Sequence, residues 1–287
     1  MAELQAAAEA ADAVLVTEPQ WFRGLPFVTE LSRFRGAVLA TEAAARIGRQ
    51  FVLELLAAAE VADDSGGAAD DSGGAAEGRR LYSRREALAA LGRVRSVKYG
   101  EAVEVVPGVR ATAHPSGAGI GSAFWVLAAG QAEVGYVARL CLDEGFAAPL
   151  RLAALLPVGA VVCGLPLAVD EPGLSSAEEE DAAAVQGIDG VINAVVKAVT
   201  GGGCALIPVN PSGQVLELLE VLAGYLAAYG LSHVPIYYVS ETAEDVLAYA
   251  NLSMEWLSEP RQRRIYKRAG PEPPFGHHKL LQVRAAG

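Results

Sequence analysis

Residues 14–27 read VLVTEPQWFRGLPF. The aliphatic run Val14-Leu15-Val16 ends at Thr17, and a short polar loop then leads into Gly24-Leu25-Pro26. A β-branched run closed by turn residues reads as a strand, and a strand that delivers its end to a loop is where α/β proteins usually place their chemistry. Yet Glu18-Pro19-Gln20-Trp21-Phe22-Arg23 holds no His, Asp or Cys. A loop in a catalytic position without catalytic residues is the feature to explain.

The chain around it has 287 residues, enough for one large domain or two of ordinary size. Apolar residues make up 52% and charged residues 20%, so a core can be buried and wholesale disorder is not expected. The net charge of −11 argues against a surface built to neutralise phosphates. The basic residues that do cluster, Arg261-Gln262-Arg263-Arg264 and Lys267-Arg268, read as a solvated helix end. Cys141, Cys163 and Cys204 are far apart in apolar contexts, which suggests buried, inert thiols rather than a disulfide framework. The N-terminus lacks the basic and apolar regions of a signal peptide. Residues 152–169 carry no charge, but Pro157, Gly159, Gly164 and Pro166 divide them into pieces of strand length. VGAVVCG (158–164) therefore reads as a buried strand rather than part of a membrane helix.

The tandem heptad ADDSGGA–ADDSGGA at 62–75 cannot supply apolar surface to offset the entropy of ordering. It reads as a disordered acidic insertion spanning 62–80. Helical spacing precedes it over 41–60 with Thr41 as N-cap, and SRREALAALGRV follows it with Ser83 as cap. From 96 to 140 the pattern is β, with turns at Pro107-Gly108 and Gly130-Gln131. Strand and helix then alternate: CALIPVN (204–210) a strand, 212–230 a helix, VPIYYVS (234–240) a strand, and a helix from Glu241. That alternation implies parallel β–α units. A β-rich first half with peripheral helices thus gives way, near residue 165, to a doubly wound α/β half.

Chemical motifs are weak throughout. Gly117, Gly119 and Gly121 run G-x-G-x-G before a strand, whereas a dinucleotide loop needs G-x-G-x-x-G opening a helix. Glycines that let a loop pass close to neighbouring backbone account for them better. Ser212-Gly213 could place an anion on a helix N-terminus, but no Lys, Arg or second Gly supports it. Of the histidines, His277-His278 lies in a Pro-rich surface stretch, while His114 and His233 are isolated. A zinc site needs three or four converging ligands, and only scattered positions such as His114, Asp143 and His233 could supply them.

The order of segments carries more. VLVTEPQWFRGLPFVTELSRFRGAVLATEAAARIG, then RATAHPSGAGIGSAFWVL, GYVARL, GGGCALIPVNPSGQVLELLEVL and VPIYYVS resemble, in order, successive parts of the metallo-β-lactamase/β-CASP family of RNA 3′-end processing nucleases. The resemblance spans about residues 12–283 apart from the acidic insertion. It implies a partial metallo-β-lactamase fold (αββα) over 1–165, followed by the first part of a doubly wound β-CASP domain over 166–287. It also implies a chain lacking the first quarter of the lactamase fold and everything after EPPFGHHKLL (272–281).

The family's metal ligands do not carry over. Glu18, Gln20 and Arg23 stand where the His-x-His-x-Asp-His loop places its ligands. Pro115 and Ala118 stand at the two histidines of His-x-Gly-His, and Arg139 stands at the bridging Asp of Tyr-x-Gly-Asp. Two zinc ions about 3.5–4 Å apart require several anionic and imidazole ligands to offset their charge. No catalytic, cofactor-binding or metal residue is therefore assigned. The resemblance points to a non-catalytic nuclear scaffold that pairs with an active β-CASP endonuclease in small nuclear RNA 3′-end processing and meets RNA only indirectly, with no membrane role. Two other readings stay open. One is a metal-dependent RNA hydrolase using His114, Asp143 and His233, and the other is a small-ligand module built on Ser212-Gly213.

Overall fold

The structure, a computed structural model, describes residues 2–64, 82–142, 146–164, 177–209, 214–267 and 281–284. It is mixed α/β, the class expected. Helix α1 (Ala2–Ala10) leads into strand β1 (Ala13–Leu15), and a 3-10 turn (Pro19–Gly24) into the short α2 (Leu25–Thr29). Then come β2 (Ala37–Thr41), α3 (Glu42–Asp64), α4 (Arg84–Gly92) and β3 (Val94–Val97). The three strands form one parallel sheet in chain order, with Val14 opposite Val38 and Val38 opposite Val94.

A second sheet contains β4 (Ala102–Val106), β5 (Val109–Pro115), β6 (Ala123–Ala129), β7 (Ala132–Val137) and β8 (Ala160–Cys163). It is antiparallel through β7, and β8 joins β7 in parallel. Both two-residue turns read from the sequence are present: Val106 pairs with Val109 and Ala129 with Ala132. Gly108 (φ 80) and Gly130 (φ 60) supply the left-handed backbone that such turns require.

Period-2 alternation explains how the sheets stack. On β5 and β6, Ala111, Ala113, Ala123 and Trp125 share a core with Leu39 and Val97 of the first sheet. The intervening residues Phe124 and Val126 face the other way, into a cluster with Val137, Leu150, Leu155 and Val158. β6 is thus covered on both faces, which its near-continuous apolar sequence requires. The outer face of the first sheet is covered by helices, through Phe22, Ala44, Val52 and Leu56 around Val38 and Ala40.

Two helix starts follow local chemistry. Thr41 Oγ1 accepts from the Ala44 N–H at 3.1 Å, capping α3. Ser83 and Glu86 form a reciprocal capping box on α4, the Ser83 N–H donating to Glu86 Oε2 at 2.7 Å. α3 continues to Asp64, slightly past the expected start of the insertion, and residues 65–81 lie outside the described residues.

Beyond the second sheet are α5 (Ala177–Thr200), α6 (Gln214–Ala228), β9 (Ile236–Val239), α7 (Ala243–Leu252), α8 (Glu259–Lys267) and β10 (Leu281–Arg284). β9 and β10 pair in parallel. α6 and α7 pack on α3, sharing a core that includes Ile47, Phe51, Leu216, Val246 and Leu257.

Four expectations need correction. Residues 204–209 form no strand, and Leu206 is 94% exposed there, because no neighbouring strand pairs with them among the described residues. β8 is exposed along its length rather than buried, since among the described residues it lies at the sheet edge with only β7 beside it. Cys163 and Cys204 fall on these two stretches and are exposed, with Cys141 intermediate. Arg261 is not a solvated helix end: it pairs with Glu220 and lies 4.8 Å over the Phe146 ring.

Candidate functional site

The loop after β1 is rooted in the second sheet. The Val16 carbonyl accepts from Trp125 Nε1 at 3.2 Å, and the Thr17 carbonyl from the Ala123 N–H at 2.8 Å. Glu18 is extended (φ −146, ψ 150), as a residue before proline prefers, and Pro19 opens the 3-10 turn. Phe22 is fully buried against α3, in a notch that exists because residue 48 is glycine. A Cβ on Gly48 would lie 2.4 Å from the Phe22 ring. Trp21, by contrast, is 59% exposed.

Glu18 is only 5% exposed, and its carboxylate meets one amide and one cation. Gln20 Nε2 donates to Glu18 Oε2 at 2.7 Å, and Arg139 Nη1 lies 3.7 Å from the same oxygen. Burial pushes the Glu18 carboxyl above its ordinary value, partly opposed by the Arg139 charge and hydrogen bond. Glu18 and Arg139 are far apart in sequence, and the resemblance put both at positions of lost metal ligands. The fold brings them together.

The glycine loop is structural. Gly117 (φ 75) and Gly121 (φ 78) both lie in the left-handed region. A Cβ on Gly117 would meet the Cys141 carbonyl at 2.2 Å, and one on Gly121 the Ala44 nitrogen at 2.4 Å. Thr41 Oγ1, while capping α3, donates to the Gly121 carbonyl at 2.6 Å. Tyr99 donates to the Ser122 carbonyl at 2.8 Å, and burial pushes its hydroxyl pKa up. The close passage of this loop by neighbouring backbone is what the sequence suggested.

His114, one residue before this loop, lies on the outer face of the second sheet. It alternates with Ala113 and stacks on Phe124 at 5.3 Å. Burial, with a smaller contribution from Arg151, pushes its pKa down, and its Nδ1 has no hydrogen-bond partner among the described residues. His233 is exposed in the turn before β9. Asp143, Ser212-Gly213 and His277-His278 lie outside the described residues. Among the described residues no three His, Cys, Asp or Glu side chains come together as metal ligands, and no helix is long and apolar enough to cross a membrane.

No protein-family model matches the chain. Curated proteins do. The chain is 29% identical over 286 residues to the Integrator complex subunit 9 homolog of Nematostella vectensis, covering 94% of this chain and 41% of that one. It is 29% identical over 288 residues to the Homo sapiens protein of the same name, covering 95% and 42%. Its relatives are Integrator complex subunit 9 proteins. The chain spans less than half the length of these relatives. A shorter likeness, 37% identity over 68 residues, is to cleavage and polyadenylation specificity factor subunit 2 of Oryza sativa subsp. japonica, covering 24% of this chain and 9% of that one. The likeness to subunit 9 runs across the loop after β1, the glycine loop and the helical second half alike.

Sequence reasoning anticipated the close-packed glycines. It missed the contact between Glu18 and Arg139, because nothing local to either residue marks a partner so distant in the chain. It also missed the Trp125–Val16 hydrogen bond. The one available signal was an indole in an otherwise aliphatic strand, since a buried Trp N–H needs an acceptor.

Proposed function

We propose that the chain is a non-catalytic scaffold of the Integrator complex, a degenerate metallo-β-lactamase/β-CASP homologue. In this reading it works in the nucleus, pairs with the assembly's active β-CASP endonuclease in small nuclear RNA 3′-end processing, and meets RNA only through that partner. Residues 1–165 belong to the lactamase-like part and 166–287 to the β-CASP-like part. The observation that carries the reading is the similarity to Integrator complex subunit 9 across 94–95% of this chain.

The chemistry of the loop supports it. A zinc pair needs a converging set of carboxylates and imidazoles. The loop offers one carboxylate, Glu18, already engaged by Gln20 and by the Arg139 cation. A cation beside a prospective metal raises the cost of placing further positive charge there. The nearest imidazole in sequence to the glycine loop, His114, is stacked on Phe124. These residues do not fit a zinc pair, and no reaction step is derived through one. Their geometry suits a closed, ion-paired substitute that keeps the loop in shape.

Affinity purification of the tagged chain from nuclear extract, followed by mass spectrometry, tests the pairing. Recovery of an active β-CASP endonuclease in near-stoichiometric amount is the expected outcome. A well-expressed chain that enriches no such endonuclease would overturn the proposal.

A further inference from the structure

A groove of about 570 Å³ runs between α3 and α7. Its walls follow from helical spacing. Glu42, Arg46 and Gln50 recur every four residues along α3, and Asp245, Tyr249 and Ser253 do the same along and just beyond α7. Beneath these stripes the two helices share a core of Ala43, Ile47, Val246 and Ala250. Above that core the polar stripes diverge, and Glu255 closes one end.

The charges in this groove are not paired with one another. Among the described residues, none of Glu42, Asp245, Glu255 and Arg46 takes part in an ion pair. Three carboxylates against one guanidinium leave the lining two charges negative. Gln50 Oε1 is buried and accepts no hydrogen bond among the described residues, an arrangement that costs free energy unless a donor arrives. Tyr249 lines the groove together with Glu42, Arg46 and Glu255. Glu42 and Asp245 each lie in the first turn of their helix, where a carboxylate is stabilised by the helix dipole. That accounts for each acid singly. It does not account for their meeting Glu255 and an unsatisfied buried acceptor in one cavity.

We infer that the α3–α7 groove binds an arginine side chain presented by a peptide segment of a partner protein. A guanidinium brings several N–H donors and no acceptor, which matches a lining of three carboxylates and an orphan amide oxygen. Its planar face stacks on an aromatic ring such as Tyr249, a contact that ammonium makes less well. The chain's overall negative charge draws such a segment in. This inference is independent of the scaffold reading, because it rests on the groove alone.

The probe is a fluorescein-labelled peptide of three Gly-Ser-Arg repeats, titrated with the full chain and followed by fluorescence anisotropy. Saturable binding is expected, with the Gly-Ser-Glu version silent. The pair Asp245→Asn with Glu255→Gln should weaken binding about tenfold, as loss of charge-assisted hydrogen bonds does. The control pair Glu9→Gln with Glu133→Gln removes the same charge elsewhere and should leave binding unchanged. Gln50→Leu, which keeps every charge, should weaken it about threefold. Asp245 and Glu255 are exposed, so the groove pair leaves the core intact. No saturable binding, or equal weakening by the groove and control pairs, would overturn the inference.

Discussion

Arg139 Nη1 lies 3.7 Å from the carboxylate of Glu18, joining the end of β7 to the loop after β1. Glu18 is almost wholly buried while Arg139 is half exposed, so solvent screens the attraction from one side only. A double-mutant cycle with Glu18→Gln and Arg139→Met should therefore give a coupling of about 1 kcal/mol, between the values for exposed and buried pairs. Urea unfolding of the four proteins measures it. A coupling near zero would mean that the pair does not hold the loop.

The same pair sets a pH dependence. Burial raises the folded-state pKa of Glu18 above its unfolded value, so the native state holds this proton more tightly. Stability from this group is full below the unfolded pKa and is lost as pH rises through the folded pKa. Glu18→Gln removes that loss. The variant should match the parent near pH 4 and melt on the order of 2 °C higher at pH 7.5, as scanning calorimetry can show.

His114 behaves in the opposite sense. Its folded pKa is depressed by burial, so the native state disfavours its proton. Its contribution is present above the unfolded pKa and falls away as pH drops through that value toward the folded one. His114→Leu should flatten the loss of stability seen between neutral and mildly acidic pH, measured by urea midpoints across that window.

Neighbouring aromatics in the loop should separate sharply. Phe22→Ala empties a fully buried site against Gly48 and should cost about 3–5 kcal/mol. Trp21→Ala, on the exposed side of the same turn, should change stability by no more than about 0.5 kcal/mol. Chemical denaturation of the two variants checks this contrast.

Gly121→Ala should be among the most damaging single substitutions. The new methyl would fall 2.4 Å from the Ala44 nitrogen, at a backbone φ of 78 that alanine resists. A loss of about 2 kcal/mol or more is expected, from strain and from displacement of the capped start of α3. Gly108→Ala has the same φ problem with open space around it and should cost less, which isolates the packing contribution.

The parts of the fold legible in sequence were those governed by local rules. Thr41 and Ser83 announced helix starts, and the Pro107-Gly108 and Gly130-Gln131 pairs announced turns between strands. The failures came where the environment decides. CALIPVN has strand composition, yet residues 204–209 find no partner strand among the described residues, and composition cannot supply one. VGAVVCG forms the expected strand but lies at an edge, because burial depends on neighbours the local sequence does not name. At the candidate site the sequence showed a loop without His, Asp or Cys. The ion pair between Glu18 and Arg139 was not legible, since two isolated charges carry no record of each other.

Metal content coupled to nuclease activity tests the central claim most directly. The chain should be purified from zinc-supplemented cells, its zinc measured by plasma mass spectrometry, and its cleavage of a small nuclear RNA precursor followed with and without added zinc. The account predicts no stoichiometric zinc and no metal-dependent cleavage. Stoichiometric zinc together with cleavage that a chelator abolishes would contradict it.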